Sequence, residues 1–155
     1  MMKARSLLAS LTLLFTAAAV CSAANPQAGV WKLNEGKSEL APGMGKNLTV
    51  TYTEKGDNMK VAVEGVDKDG KPFKSIWKGK FDGKAYPVKG HPTYDMMMYK
   101  TVNDHTNEIT AMKAGKTIWT GTITVAADGK SRVVDVSGTD ADGKKFKSKA
   151  FYDKQ

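Results

Sequence analysis

Four Asp-Gly-Lys tripeptides, at residues 69–71, 82–84, 128–130 and 142–144, each fall between runs in which polar and apolar residues alternate. Aspartate and glycine supply the positive φ angles that two-residue turns require, so such a tripeptide between alternating runs predicts a β-hairpin. The runs themselves have a period of two. Leu48, Val50 and Tyr52 alternate with Thr49, Thr51 and Thr53, and Met59, Val61 and Val63 form the return strand after Lys55–Asn58. Phe73, Ser75, Trp77, Gly79 and Phe81 share a face opposite Lys74, Ile76, Lys78 and Lys80. Thr117, Trp119, Gly121, Ile123 and Val125 repeat the pattern, as do Phe146, Ser148, Ala150 and Tyr152 against Lys145, Lys147 and Lys149. Apolar-in and polar-out alternation is the signature of half-buried antiparallel strands. Beyond residue 24 no segment shows helical periodicity.

Further strands are expected at Gly29–Asn34, Tyr94–Val102, Glu108–Lys113 and Arg132–Gly138. Gly36–Lys46, with Pro42 and three glycines, reads as a loop. Eight to ten strands joined by short turns predict an all-β, antiparallel up-and-down meander. On so short a chain it closes most economically into a barrel, which removes exposed edges. A sandwich would need longer crossovers than these connections provide.

The first 24 residues have another character. Lys3 and Arg5 precede an apolar run from Leu7 to Val20 and then small residues, the three-part pattern of a secretory signal peptide. Cleavage is expected after Ala23 or Ala24, leaving residues 25–155 as one exported domain, periplasmic or extracellular, with no stable membrane span. Cys21, the single cysteine, would be the lipidated residue of a lipoprotein, but the bulky Val20 before it disfavours that alternative. The remaining chain has no disulfide, so its stability must come from a hydrophobic core.

Once Lys3 and Arg5 are set aside, 22 basic residues face 16 acidic ones, and only Arg132 among them is an arginine. Arginine's planar fork is what reads phosphates and guanine edges. A lysine coat without it suits solubility, so no nucleic-acid partner is expected.

Chemistry is sparse. No Gly-x-Ser-x-Gly elbow occurs, and no nucleophile–base–acid set is apparent, so an enzyme is not expected and no catalytic residue is assigned. His91, Asp95, Asp104 and His105 could form a metal site only if several loops converged at one rim. Met96-Met97-Met98 beside His91 offers soft Cu(I) ligands, but a strand places at most two of the three on one face, and core filling is the commoner use of methionine. No metal and no cofactor are therefore expected. Residues 65–75 and 138–148 repeat Asp-x-Asp-Gly, half of a calcium loop. They lack the first aspartate and the bidentate glutamate of an EF-hand, and shared turn chemistry accounts for them.

Gly29-Val30-Trp31 matches the G-x-W that opens lipocalin barrels. More of the chain resembles a family of small exported bacterial lipocalin-like proteins. The residues that carry this likeness are Gly29–Asn34, Lys37-Ser38, Trp77, Gly79–Lys84, Tyr86–Val88, Gly90, Pro92, Gly138–Asp140, Gly143-Lys144 and Tyr152–Gln155. The resemblance implies a barrel with an interior binding site. Against larger lipocalins the chain is shorter, no helix follows the last strand, and no arginine near the C-terminus is placed to lie over Trp31.

Trp77, Phe81, Met96, Met98, Trp119, Phe146 and Tyr152 are the candidate ligand-binding residues. In a small barrel such side chains either fill the interior or line a cavity. Two readings follow. One is a monomeric, non-enzymatic binding protein for a small hydrophobic ligand. The other is a filled barrel with a structural or protein-interaction role in the envelope.

Overall fold

The computed structural model describes residues 24–155; the expected signal peptide and Cys21 fall on residues outside that range, apart from Ala24. Ten strands form one antiparallel meander: β1 (Gly29–Leu33), β2 (Lys46–Lys55), β3 (Asn58–Val66), β4 (Pro72–Gly79), β5 (Asp82–Lys89), β6 (Met96–Thr101), β7 (Thr106–Lys113), β8 (Lys116–Val125), β9 (Ser131–Thr139) and β10 (Lys145–Lys154). Each pairs with the next, and β1 pairs with both β2 and β10, which closes the barrel. The all-β closed meander is therefore as the sequence predicts.

Burial follows the period-two pattern most cleanly in β4, where Ser75, Trp77 and Gly79 are buried and Lys74, Ile76 and Lys78 are exposed. Three of the Asp-Gly-Lys tripeptides form hairpin turns, between β3 and β4, β8 and β9, and β9 and β10. In the repeated pair, Asp67 Oδ1 accepts from the Asp69 and Lys71 amides at 2.9 Å each. Asp140 Oδ1 accepts likewise from the Asp142 and Lys144 amides, at 3.0 and 2.8 Å. This is the self-capping turn chemistry of aspartate.

The fourth tripeptide departs from expectation. Asp82 and Gly83 lie inside β5 rather than in a turn, where the β5–β6 register shifts between Asp82 and Ala85. Only Ile76↔Lys89 and Trp77↔Val88 join β4 to β5, so the sheet bends sharply here. Gly79 sits at that bend. A Cβ there would come within 2.5–2.7 Å of the Tyr86 and Trp77 rings, so the tyrosine ring lies where a side chain would stand. The expected Gly36–Lys46 loop differs at both ends: Glu35–Lys37 form a 3₁₀ turn capped by the Asn34 side chain, and Lys46 already belongs to β2. The loop is fastened to the barrel by the Glu39↔Lys149 bridge.

The barrel interior has two halves. The β2–β3, β4–β5, β6–β7 and β8–β9 connections gather at one end with the lead residues before β1 and the C-terminus. The Gly36–Lys46 loop and the remaining turns gather at the other. A ten-stranded barrel is wider than the eight-stranded kind that side chains just fill, so closing either end takes large groups. Aromatic rings supply them in the first half. Trp77 lies 4.6 Å from Tyr99 and 5.7 Å from Tyr86 between centroids, and Phe81 stacks on Tyr99 at 4.8 Å. The Trp77 indole N–H donates to the Met97 carbonyl at 3.0 Å.

Arg132 completes that closure. Its guanidinium is buried 4.7 Å from the Trp31 ring centroid, 4.8 Å from Tyr52 and 4.9 Å from Tyr152, and donates to Gln27 Oε1 at 3.0 Å. The Trp31 indole N–H in turn donates to the Gln27 carbonyl at 2.8 Å. An arginine does lie over Trp31, contrary to the sequence expectation. It comes from β9, because Arg132 pairs with Tyr152 of β10, one strand away from Trp31. A strand-to-strand register places it, which position near the C-terminus does not capture.

Candidate functional site

The open end carries a pocket of about 140 Å³, lined mainly by apolar side chains. Its inner wall comes from inward positions of β8, β9 and β10: Trp119, Val134, Val136, Phe146, Ala150 and Tyr152. These positions meet because Trp119 pairs with Gly138, which pairs with Phe146, across three strands. Gly138 has no side chain, so the two flanking aromatics face the interior without a ring between them. The opposite wall is built from His91 to Tyr94, the segment between β5 and β6, with Phe73. Leu40 and Met44 reach over from the loop after β1.

The wall is an aromatic stack. The His91 imidazole lies 3.6 Å from the Tyr94 ring and nearly parallel to it, and Phe73 meets His91 edge-on at 4.7 Å. Tyr94 meets Trp119 edge-on at 5.6 Å, which links the two walls. His91 Nδ1 accepts the Thr93 amide at 3.2 Å. Burial pushes the His91 pKa down to about 4, so the imidazole is neutral at neutral pH. Burial also raises the Tyr152 phenol to about 12, partly offset by the Arg132 charge, and raises Tyr94 further. The Tyr152 hydroxyl donates to the Asn47 carbonyl at 2.9 Å. The pocket therefore presents a neutral imidazole and aromatic rings, with Lys46 and Asp67 also among its lining residues.

The seven sequence candidates separate into three groups. Trp119, Phe146 and Tyr152 line the pocket. Trp77 and Phe81 lie in the packed aromatic cluster of the closed half. Met96 and Met98 face outward; the buried members of β6 are Met97 and Tyr99. The reversal has a local cause. Chain phase is reset in the irregular segment before β6, and Met97 pairs with inward Tyr86 and Ala111, which sends Met96 and Met98 to the other face. Leu33, Leu40, Met44, Phe73, His91, Tyr94, Val134, Val136 and Ala150 also line the pocket and are not among the seven. Phe73, Val134 and Val136 carried a signal, in the alternation of their strands. His91 and Tyr94 sit in an irregular segment that gives no periodicity to read.

The quartet His91, Asp95, Asp104 and His105 is divided between the ends, since Asp104 and His105 belong to the β6–β7 connection. Among the described residues no three His, Cys, Asp or Glu side chains are grouped to hold a metal ion.

Three solved structures are similar to this chain at low sequence identity. EF1p2_mFAP2b, solved bound to DFHBI, gives a TM-score of 0.49 at 13% identity, covering 86% of this chain and 97% of its own. A redesigned β-barrel, mFAP1, bound to DFHBI gives 0.41 at 15% identity over 84% and 95%. The redesigned barrel b11L5F_LGL gives 0.44 at 17% identity over 88% and 97%. No family model and no curated protein sequence matches.

Proposed function

We propose that this is an exported, non-enzymatic binding protein, akin to small bacterial lipocalin-like barrels, that holds a small hydrophobic molecule at the open end of its barrel. The observation that carries this reading is the asymmetry of the interior. One half is closed by Arg132 and a ring of aromatics, whereas the other keeps a pocket of about 140 Å³ with an apolar, aromatic lining. A dry cavity of roughly 150 Å³ is enough to accept benzene. The size thus favours a ligand of one ring or a few carbons over a retinoid, a haem or a long acyl chain. Concave apolar pockets with a few placed polar groups are the usual form of small-molecule sites.

Titration with single-ring aromatics, followed by amide chemical shifts, tests the reading. Saturable shifts confined to β8–β10 and residues 91–94 are expected. The filled-barrel alternative, supported by the dense packing around Trp77, predicts no saturable response from any small molecule. Substituting Ala150→Phe, which places a ring in the pocket, should abolish binding while leaving the barrel folded.

A further inference from the structure

The outward face of β6 presents a feature that the pocket does not use. Met96 and Met98 lie there together, and the residue paired with Met96 on β7 is Met112. Three of the chain's eight methionines therefore meet on one patch of the barrel's outer wall. All three are half-buried, although the wet face of an antiparallel strand more often carries threonine or lysine, as β2 and β4 do here.

The geometry follows from the register. Directly opposed residues have Cβ atoms about 4.5–5.5 Å apart, and diagonal ones about 7–8 Å, within reach of long side chains. Methionine has three rotatable bonds and a polarisable sulfur, so Met96, Met98 and Met112 can bring three thioethers to a common point. The flanking strand leaves room, because Pro87 and Ala85 of β5 pair with Met96 and Met98. The Asp95 amide donates to the Met112 carbonyl at 3.0 Å, while its carboxylate turns to the next connection, where Oδ2 accepts the Ala114 amide at 3.2 Å and lies 3.9 Å from Lys113 Nζ.

We propose that Met96, Met98 and Met112 form a thioether site for a soft monovalent cation, of which Cu(I) is the biological example. Thioethers select such ions over Zn²⁺, Ca²⁺ and Mg²⁺, which prefer nitrogen or oxygen ligands. The site lies outside the barrel wall, so its occupancy is independent of the pocket.

Silver(I), which shares this chemistry and is redox-inert, is the probe. The full chain carrying methyl-labelled methionine is titrated in chloride-free buffer. One equivalent should bind, with the Met96, Met98 and Met112 methyl resonances shifting together. Met112→Leu removes one of the three sulfurs and should weaken binding by at least about tenfold, the lower end of what the loss of even an outer-sphere partner costs. Met97→Leu, on the opposite face of the same strand, should leave affinity unchanged, with circular dichroism confirming the fold of both variants. Thioethers carry no proton, so affinity should be flat between pH 5 and 7. Three results would overturn the proposal: no binding of one equivalent, an unaltered affinity in Met112→Leu, or shifts confined to other methionines. A fall in affinity towards pH 5 would assign the ion to histidine and overturn it as well.

Discussion

Removing the Arg132 side chain should unfold the closed end of the barrel more readily than any single change in the pocket. The guanidinium is buried and makes no ion pair among the described residues; it rests on three aromatic faces at 4.7–4.9 Å and on the Gln27 amide oxygen. A desolvated cation–π contact contributes up to about 2 kcal/mol, and a hydrogen bond to a charged group about 1.5–3 kcal/mol. Opposing them is the cost of taking a guanidinium out of water, several kcal/mol. Arg132→Ala removes both sides of that balance, but it also leaves a cavity between Trp31, Tyr52 and Tyr152 and strands Gln27 Oε1. The expected net loss is about 3–5 kcal/mol, in the range of large-to-small core changes. For a domain of this size that lowers the melting temperature by about 10–20 °C. Arg132→Met separates the contributions, since it keeps much of the volume and removes the charge. It should lose about 2 kcal/mol if the aromatic cage favours the cation. Urea unfolding followed by circular dichroism measures both. Should both variants fall within about 1 kcal/mol of the parent, the cation is not what closes this end.

Three further outcomes follow from the same packing. Gly79→Ala pushes a methyl into Tyr86 and Trp77 and should cost about 1–3 kcal/mol in urea unfolding; a neutral effect would refute the close ring approach. His91, held at about 4 when folded against an ordinary 6.5, binds its proton later than it does in the unfolded chain. Stability should therefore fall as pH drops from about 6.5 to 4, by up to about 3 kcal/mol, and His91→Phe should flatten that part of the stability–pH curve. If residues 1–24 act as the expected signal peptide, the intact mass of protein from the envelope should begin at Ala24 or Asn25. An unprocessed N-terminus, or a lipid on Cys21, would refute that cleavage.

The fold was legible because local and global signals agree in it. Alternation in β4, β8 and β10 and the Asp-Gly turns each point to hairpins, and closure follows from the strand count. What escaped was set by neighbours in space rather than in sequence. Asp82-Gly83 carries the same text as the three true turns, yet the bend between β4 and β5 makes it a bulge. Strand period puts Met96 and Met98 on one face without saying which, and the pairing of Met97 with Tyr86 and Ala111 turns that face outward. Arg132 reaches Trp31 across β10, a relation that register alone supplies. The site was half visible for the same reason. Trp119, Phe146 and Tyr152 stand on regular strands, whereas His91 and Tyr94 complete the pocket from a segment without periodicity.

The open end of this barrel is proposed to accept a small apolar guest. Toluene, with seven carbon atoms, suits a volume of about 140 Å³. At ordinary ligand efficiencies a molecule of that size should bind with a Kd on the order of 0.1–1 mM. An amide-shift titration to several millimolar should saturate in that range and map to Trp119, Phe146, Tyr152 and residues 91–94. Longer guests such as retinol should leave those resonances in place. Linear, unsaturable shifts spread over the whole barrel would show that the pocket takes no guest, and the binding account would then be wrong.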